Sequence, residues 1–228
     1  MKKLLTTFAL ILLAPLSVPA QANHHETKSI GTAASAHPEA TKAGFEMLQA
    51  GGSAADAAMA MMLALTVVEP QSSGIGGGGF FLHHDAKQNW MQTIDGREMA
   101  PAAAGSDRFL GEDGKPMGFR SAAPGGISVG VPGNMRLMEM AHKKWGKLPW
   151  AKIFEPAIRL AEDGYAVSNP QYDWMKRLAP LWQAFPDMRA LYWRNGAPAT
   201  VGTILKNPEL AELLKELQKD GADAFYSG

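Results

Sequence analysis

The chain has no cysteine. That excludes thiol nucleophiles, thiolate metal sites, iron–sulfur clusters and disulfides. At 228 residues a chain can rely on its core instead of cross-links. It also carries no excess charge: 22 basic and 22 acidic residues cancel, and no Lys/Arg cluster tracks a nucleic-acid backbone, so neither a polyanion nor a nucleic-acid partner is expected. No P-loop, no H-E-x-x-H pair, no internal repeat and no low-complexity linker occurs. The histidines do not compensate. His83 and His84 are neighbours on an expected strand and point to opposite faces, so they cannot chelate one ion. Glu139 and His142 supply one copy of a helical spacing that a di-iron site needs twice, and they read as a solvated helix face. Neither a metal nor a cofactor is expected.

What is present reads as a folded chain with a leader. Hydrophobic residues make up 46% and charged residues 19%, which is a globular and not a disordered balance. Residues 1–22, MKKLLTTFALILLAPLSVPAQA, have a basic start, an apolar stretch from Leu4 to Ala14, and small residues at Ala20 and Ala22. This is the pattern of a secretory signal cleaved after Ala22. The stretch is shorter than the ~20 residues a membrane span needs, and Pro15 and Pro19 break it. The expected product is therefore an exported protein, periplasmic or extracellular, with no membrane anchor once the signal is removed. Residues 23–228 read as one domain or part of one.

Punctuation marks the elements. A helix is expected from Pro38, with Ala40, Ala43, Met47 and Leu48 on one stripe and Gly51-Gly52 as its stop. Ser53 and Asp56 then form an acidic capping box for a helix over 54–69, in which Ala57–Val68 is apolar apart from Thr66. A helix apolar all round is buried all round, so this one is expected to be central. Strands are expected at 79–84 and 89–95, with Asp85–Gln88 as the turn between them. Residues 101–130 are Gly-, Pro- and Ala-rich and loop-like, and helices are expected over 134–145, 151–163, 170–184 and 208–219.

Between the central helix and the first strand lies SSGIGGGG, where Gly74, Gly76 and Gly79 match the letters of G-x-G-x-x-G. A dinucleotide site needs strand, glycines and helix in that order, because the phosphates sit on the helix N-terminus. Here the order is reversed. The glycines are expected instead to supply torsions other residues avoid and to let backbone pass close to backbone. Gly126-Ile127-Ser128-Val129-Gly130 fits G-x-S-x-G letter for letter. A nucleophile elbow, though, joins a strand to a helix at the serine, whereas Ser128 lies in GGISVGVPG, which reads as strand or loop. Arg97, in DGREMAP just past a strand end, has two readings. It is a surface arginine beside a hairpin, or a guanidinium fork at a pocket rim that binds a carboxylate bidentately.

AGGSAADAAMAMMLALTVVEPQSSGIGGGGFFL, DGREMAPAAA, SVGVPGNM and KLPWAKIFEPAIRLAEDGYAVS together strongly resemble the N-terminal, large-subunit part of γ-glutamyltransferases (glutathione hydrolases), in that family's order and from about Gly31 to the chain end. The resemblance implies an α+β fold of the N-terminal-nucleophile hydrolase type. That fold is an αββα sandwich of two antiparallel sheets between helical layers, incomplete in this chain, and made as a precursor that cuts itself in two. It implies that a new N-terminal threonine attacks a γ-glutamyl amide to form an ester, which water or an amine resolves, with the threonine's own α-amino group as base. Arg97 then becomes the grip on the substrate α-carboxylate, with Glu98 in a supporting role. The implied partners are glutathione or a related γ-glutamyl compound and a small subunit from the same precursor. None of the nine threonines, at positions 6, 7, 27, 32, 41, 66, 93, 200 and 203, begins a Thr-Thr-His segment of the family's kind. The nucleophile is therefore expected beyond Gly228. A glutaryl- or cephalosporin-type acylase of the same fold, and a non-catalytic γ-glutamyl-binding protein, are the alternatives.

Overall fold

The computed structural model describes residues 30–182 and 184–227; the signal read at 1–22 lies outside them. Helix α1, Pro38–Gln49, opens with its proline in the first turn and His37 as N-cap. The His37 imidazole Nδ1 accepts the Glu39 backbone N–H at 3.2 Å. Helix α2, Ala54–Val68, begins with the full capping box, Ser53 Oγ accepting the Asp56 N–H and the Asp56 carboxylate accepting the Ser53 N–H. Its buried residues lie on several faces, among them Ala55, Met59, Leu63, Val67 and Val68. Its principal neighbours are helices, α1 above all.

The hairpin follows. Strand β1, Gly79–Asp85, and strand β2, Trp90–Gly96, pair antiparallel with Phe81 opposite Ile94 and Gly79 opposite Gly96. Asp85 Oδ1 accepts the N–H groups of Lys87 and Gln88, at 2.8 and 3.2 Å. Those bonds hold its carboxyl below the ordinary carboxylate value. Asn89, expected to open the second strand, belongs to the turn at φ 48°, a conformation asparagine tolerates.

Beyond the hairpin lie the short helix α3, Phe119–Ala122, and then α4, Asn134–Trp145. Helix α4 covers one face of the hairpin: Trp145 stacks on Phe81 and on His83, with centroids 5.6 and 4.5 Å apart. The other face is open, with Phe80, Leu82 and Met91 more than half exposed. The helix expected over 151–163 is split. A 3-10 segment, Trp150–Phe154, precedes α5, Glu155–Asp163. Pro156 sits in the first turn of α5, where a residue without an N–H belongs.

Short strands and helices complete the chain: β3 (Tyr165–Ala166), α6 (Asn169–Trp182), α7 (Pro186–Tyr192), β4 (Trp193–Arg194), β5 (Ala197–Pro198), β6 (Ile204–Leu205), α8 (Pro208–Asp220) and α9 (Asp223–Ser227). β3 pairs with β6 and β4 with β5, both antiparallel. The buried apolar side chains form one cluster that joins α2, α4, α5 and α8. Mixed helix and antiparallel strand is the α+β class expected. α2 lies among helices, the central place expected of it, and α4 backs the hairpin.

His37 carries a pH prediction. It is buried, and desolvation lowers its pKa below the ordinary 6.5, against the opposing pull of Glu69 and Glu39. A protonated imidazole donates from both nitrogens, so it cannot accept the Glu39 N–H, and its charge would face the positive end of α1. The stability it contributes is present above its unfolded pKa and is lost as pH falls below about 6.5 toward the folded value. Comparing unfolding midpoints at pH 7.5 and 5.5 should show a drop that His37→Asn, which keeps a cap acceptor and does not titrate, makes smaller.

Candidate substrate-binding site

β2 delivers Arg97 to the surface. The carboxylate of Asp95, at the strand end, accepts the Arg97 backbone N–H at 2.9 Å, which fixes the turn. The Arg97 side chain is 63% exposed, with Nε 3.4 Å from Glu98 Oε2. It stands at the edge of a cleft of about 520 Å³ formed by the 97–109 loop and residues 127–130. Arg108, not singled out in the sequence, closes the far side: its Nε donates to the Ile127 carbonyl at 2.6 Å. Two guanidiniums thus line one cleft. Of these Arg108 is bonded to backbone, while among the described residues the Arg97 guanidinium is paired with its neighbour's carboxylate alone. A fork in that state matches a small carboxylate ligand in both charge and planar geometry.

Glu98 lines this cleft and also reaches the glycine loop. A Cβ on Gly78 would lie 2.6 Å from Glu98 Oε2 and 2.6 Å from the Glu98 backbone nitrogen. This corrects the expectation about torsions: none of the glycines at 74, 76, 77, 78 and 79 has a positive φ. At Gly78 the requirement is space. The close approach of backbone to backbone expected from the sequence is what the structure contains. The loop is tied to α4, where the N–H groups of Gly133 and Asn134 both donate to the Gly77 carbonyl and Asn134 Nδ2 donates to the Gly74 carbonyl at 2.6 Å. The start of α4 therefore holds protein, not phosphate.

The remaining sequence candidates fall elsewhere. Ser128 lies in a 3-10 turn, Gly126–Ser128, and not in a strand. Its hydroxyl donates to the carbonyls of Ala123 and Gly125. Glu139 is not a solvated residue: it is largely covered and paired with Arg136 at 2.7 Å and Lys143 at 3.0 Å. Its carboxyl is held below the ordinary value, the hydrogen bonds from those cations prevailing over desolvation. His142 Nε2 lies 2.8 Å from the Leu148 carbonyl oxygen. Among the described residues no three His, Asp or Glu side chains are gathered as metal ligands, and no helix is long and apolar enough to cross a membrane.

The backbone defines the class: it is an α+β chain of the N-terminal-nucleophile hydrolase type. The structure of a Helicobacter pylori gamma-glutamyltranspeptidase matches it with a TM-score of 0.84 and 33% identity, over 89% of this chain and 58% of that one. A cephalosporin acylase from Bacillus halodurans matches with a TM-score of 0.73 and 27% identity, over 96% of this chain and 41% of that one. A family model described as Gamma-glutamyltranspeptidase covers residues 40–228, and the chain belongs to that family. The "Glutathione hydrolase proenzyme" of Bacillus subtilis (strain 168) is 37% identical over an aligned length of 240 positions that covers 98% of this chain and 40% of that protein. The chain thus spans well under half the length of that relative.

Proposed function

We propose that this chain is the large-subunit portion of an exported proenzyme that transfers or hydrolyses the γ-glutamyl group of glutathione and related compounds. The signal at 1–22 directs export, and the partner is a small subunit released from the same precursor. The observation that carries the reading is the Arg97 guanidinium, exposed at a cleft rim directly after β2 and paired with Glu98. Arg97 takes the donor's α-carboxylate as a fork, and Glu98 steadies the fork from behind. A threonine of the small subunit attacks the γ-amide carbon while its own α-amino group accepts the hydroxyl proton. The amine leaves with a proton, and water or an acceptor amine opens the resulting ester.

The fold likeness to a cephalosporin acylase favours a second reading, an acylase for glutaryl-type amides, which also present a carboxylate. The two differ at the donor's α-amino group, which a glutaryl donor lacks. The full-length proenzyme, purified after self-cleavage, should turn over a γ-glutamyl anilide much faster than a glutaryl anilide. The reverse order would establish the acylase, and turnover of neither would remove both readings. The chain 23–228 alone should turn over neither.

A further inference from the structure

The stretch that carries Arg97 packs against two walls that meet it most closely at glycines. A Cβ on Gly78 would lie 2.6 Å from the Gly96 carbonyl oxygen as well as from Glu98. On the other wall, a Cβ on Gly133 would lie 2.1 Å from the same Gly96 carbonyl oxygen and 3.0 Å from that of Arg97. A Cβ on Gly130 would lie 2.9 Å from Glu98 Cβ and 3.1 Å from the Met99 carbonyl oxygen. None of the three has a positive φ, so each is glycine for room and not for torsion. The walls are fastened to each other and to the stretch between them. Gly133 N–H donates to the Gly77 carbonyl at 3.0 Å, and Met99 and Val131 exchange backbone hydrogen bonds at 3.2 and 2.8 Å. From behind, the Tyr226 hydroxyl donates to the Pro132 carbonyl at 2.9 Å.

We propose that Gly78, Gly130 and Gly133 are positioning residues that fix the Arg97 guanidinium for the donor carboxylate, none of them touching the donor. This rests on the reading of Arg97 given above. A methyl group on either wall must push the 96–98 backbone, and Arg97 moves with it. Gly76 is the internal contrast: it belongs to the same loop, has no positive φ, and a Cβ there would meet nothing within 4 Å.

The test measures a preference and not an overall rate. In the self-cleaved full-length enzyme, kcat/KM is compared for a γ-glutamyl anilide and for the 4-aminobutanoyl anilide, which is the same donor without its α-carboxylate. A general loss of structure lowers both values and leaves their ratio unchanged. Gly78→Ala and Gly133→Ala should lower the ratio by about 10- to 100-fold, the cost typical of a displacement of an ångström or so in a positioning contact, chiefly through KM for the γ-glutamyl donor. Gly76→Ala should keep the wild-type ratio. If Gly133→Ala does not mature, the milder Gly130→Ala takes its place. If Arg97→Ala destroys the ratio while the glycine variants on both walls retain it, the cage is overturned and the carboxylate grip stands. If Arg97→Ala itself retains the ratio, the grip falls and the cage with it. An equal loss in Gly76→Ala would overturn the account based on room.

Discussion

Arg97→Ala in the full-length proenzyme is expected to leave folding and self-cleavage intact and to destroy donor recognition. Without donor, the side chain is mostly exposed and its ion pair is with Glu98, at 3.4 Å. Surface pairs of this kind contribute about 0–1 kcal/mol, so thermal unfolding should barely shift. On the reading proposed above, the same guanidinium would face the donor's carboxylate out of bulk water. Truncating one partner of such a pair costs about 2–5 kcal/mol, or roughly 30- to 4,000-fold in kcat/KM at 1.4 kcal/mol per tenfold. Arg97→Lys keeps the charge but loses the planar fork and should fall between wild type and alanine. Steady-state kinetics with a γ-glutamyl anilide checks both variants, with gel analysis of the two subunits to confirm maturation. Values within about twofold of wild type for both variants, far inside the loss expected of a broken pair, would remove Arg97 from the site. The 4-aminobutanoyl donor should be indifferent to either substitution.

The parts of this molecule that could be read in advance are those whose signals are local. Pro38, the Ser53–Asp56 box and Asn207-Pro208 each announce a helix start within a few residues, and α1, α2 and α8 begin there. The alternation in GFFLHHD announces β1, and α4 then leaves one of its faces open. The pairing of β3 with β6 had no such signal, because two-residue strands exist only where distant segments happen to meet. Helix α9 is five residues held on α4 by the Asp223–Arg136 ion pair and by the Tyr226 hydroxyl, which accepts the Arg136 backbone N–H, and its own sequence does not specify it. At the site, the sequence flagged the glycine loop with two purposes, torsion and close approach, and only the second holds at Gly78. Whether a glycine serves torsion or room depends on what lies opposite, here Gly96 and Glu98. Arg97 stood out as an arginine after a strand. Its choice over a surface reading came from the family resemblance, and the walls that fix it, at Gly130 and Gly133, carry no pattern that points back to residue 97.

Asp56 shows the same limit from the side of stability, and its substitution should have the largest effect on folding. The sequence marks it as half of a capping box. The structure gives it a second task that no local pattern contains. Its side chain is fully buried and accepts hydrogen bonds from the Ser53 N–H at 2.7 Å, the Ser53 hydroxyl at 2.9 Å, and the N–H groups of Lys147 at 3.0 Å and Leu148 at 3.2 Å. These last two belong to the turn after α4, so one carboxylate joins the start of α2 to the segment that leads into the 3-10 turn and α5. Every partner is a donor, which suits an acceptor-only carboxylate. Asp56→Ala would leave these donors buried and unpaired, each at a cost of about 1–3 kcal/mol if water cannot reach it. Allowing for relaxation, the expected loss is about 3–5 kcal/mol, the range for breaking a buried charged network. Asp56→Asn keeps the volume and an acceptor oxygen in the Oδ2 place, where all four donors converge, but loses the charge and turns its NH₂ toward the Lys147 N–H, so it should recover much but not all of the loss. Ser53→Ala removes a cap and should cost about 1 kcal/mol. Urea unfolding of the three variants in the full-length protein should therefore place Asp56→Ala lowest, Asp56→Asn next and Ser53→Ala nearest to wild type. If Asp56→Ala were no worse than Ser53→Ala, the carboxylate would be a helix cap and nothing more, and the link to Lys147 and Leu148 would carry no weight in the fold.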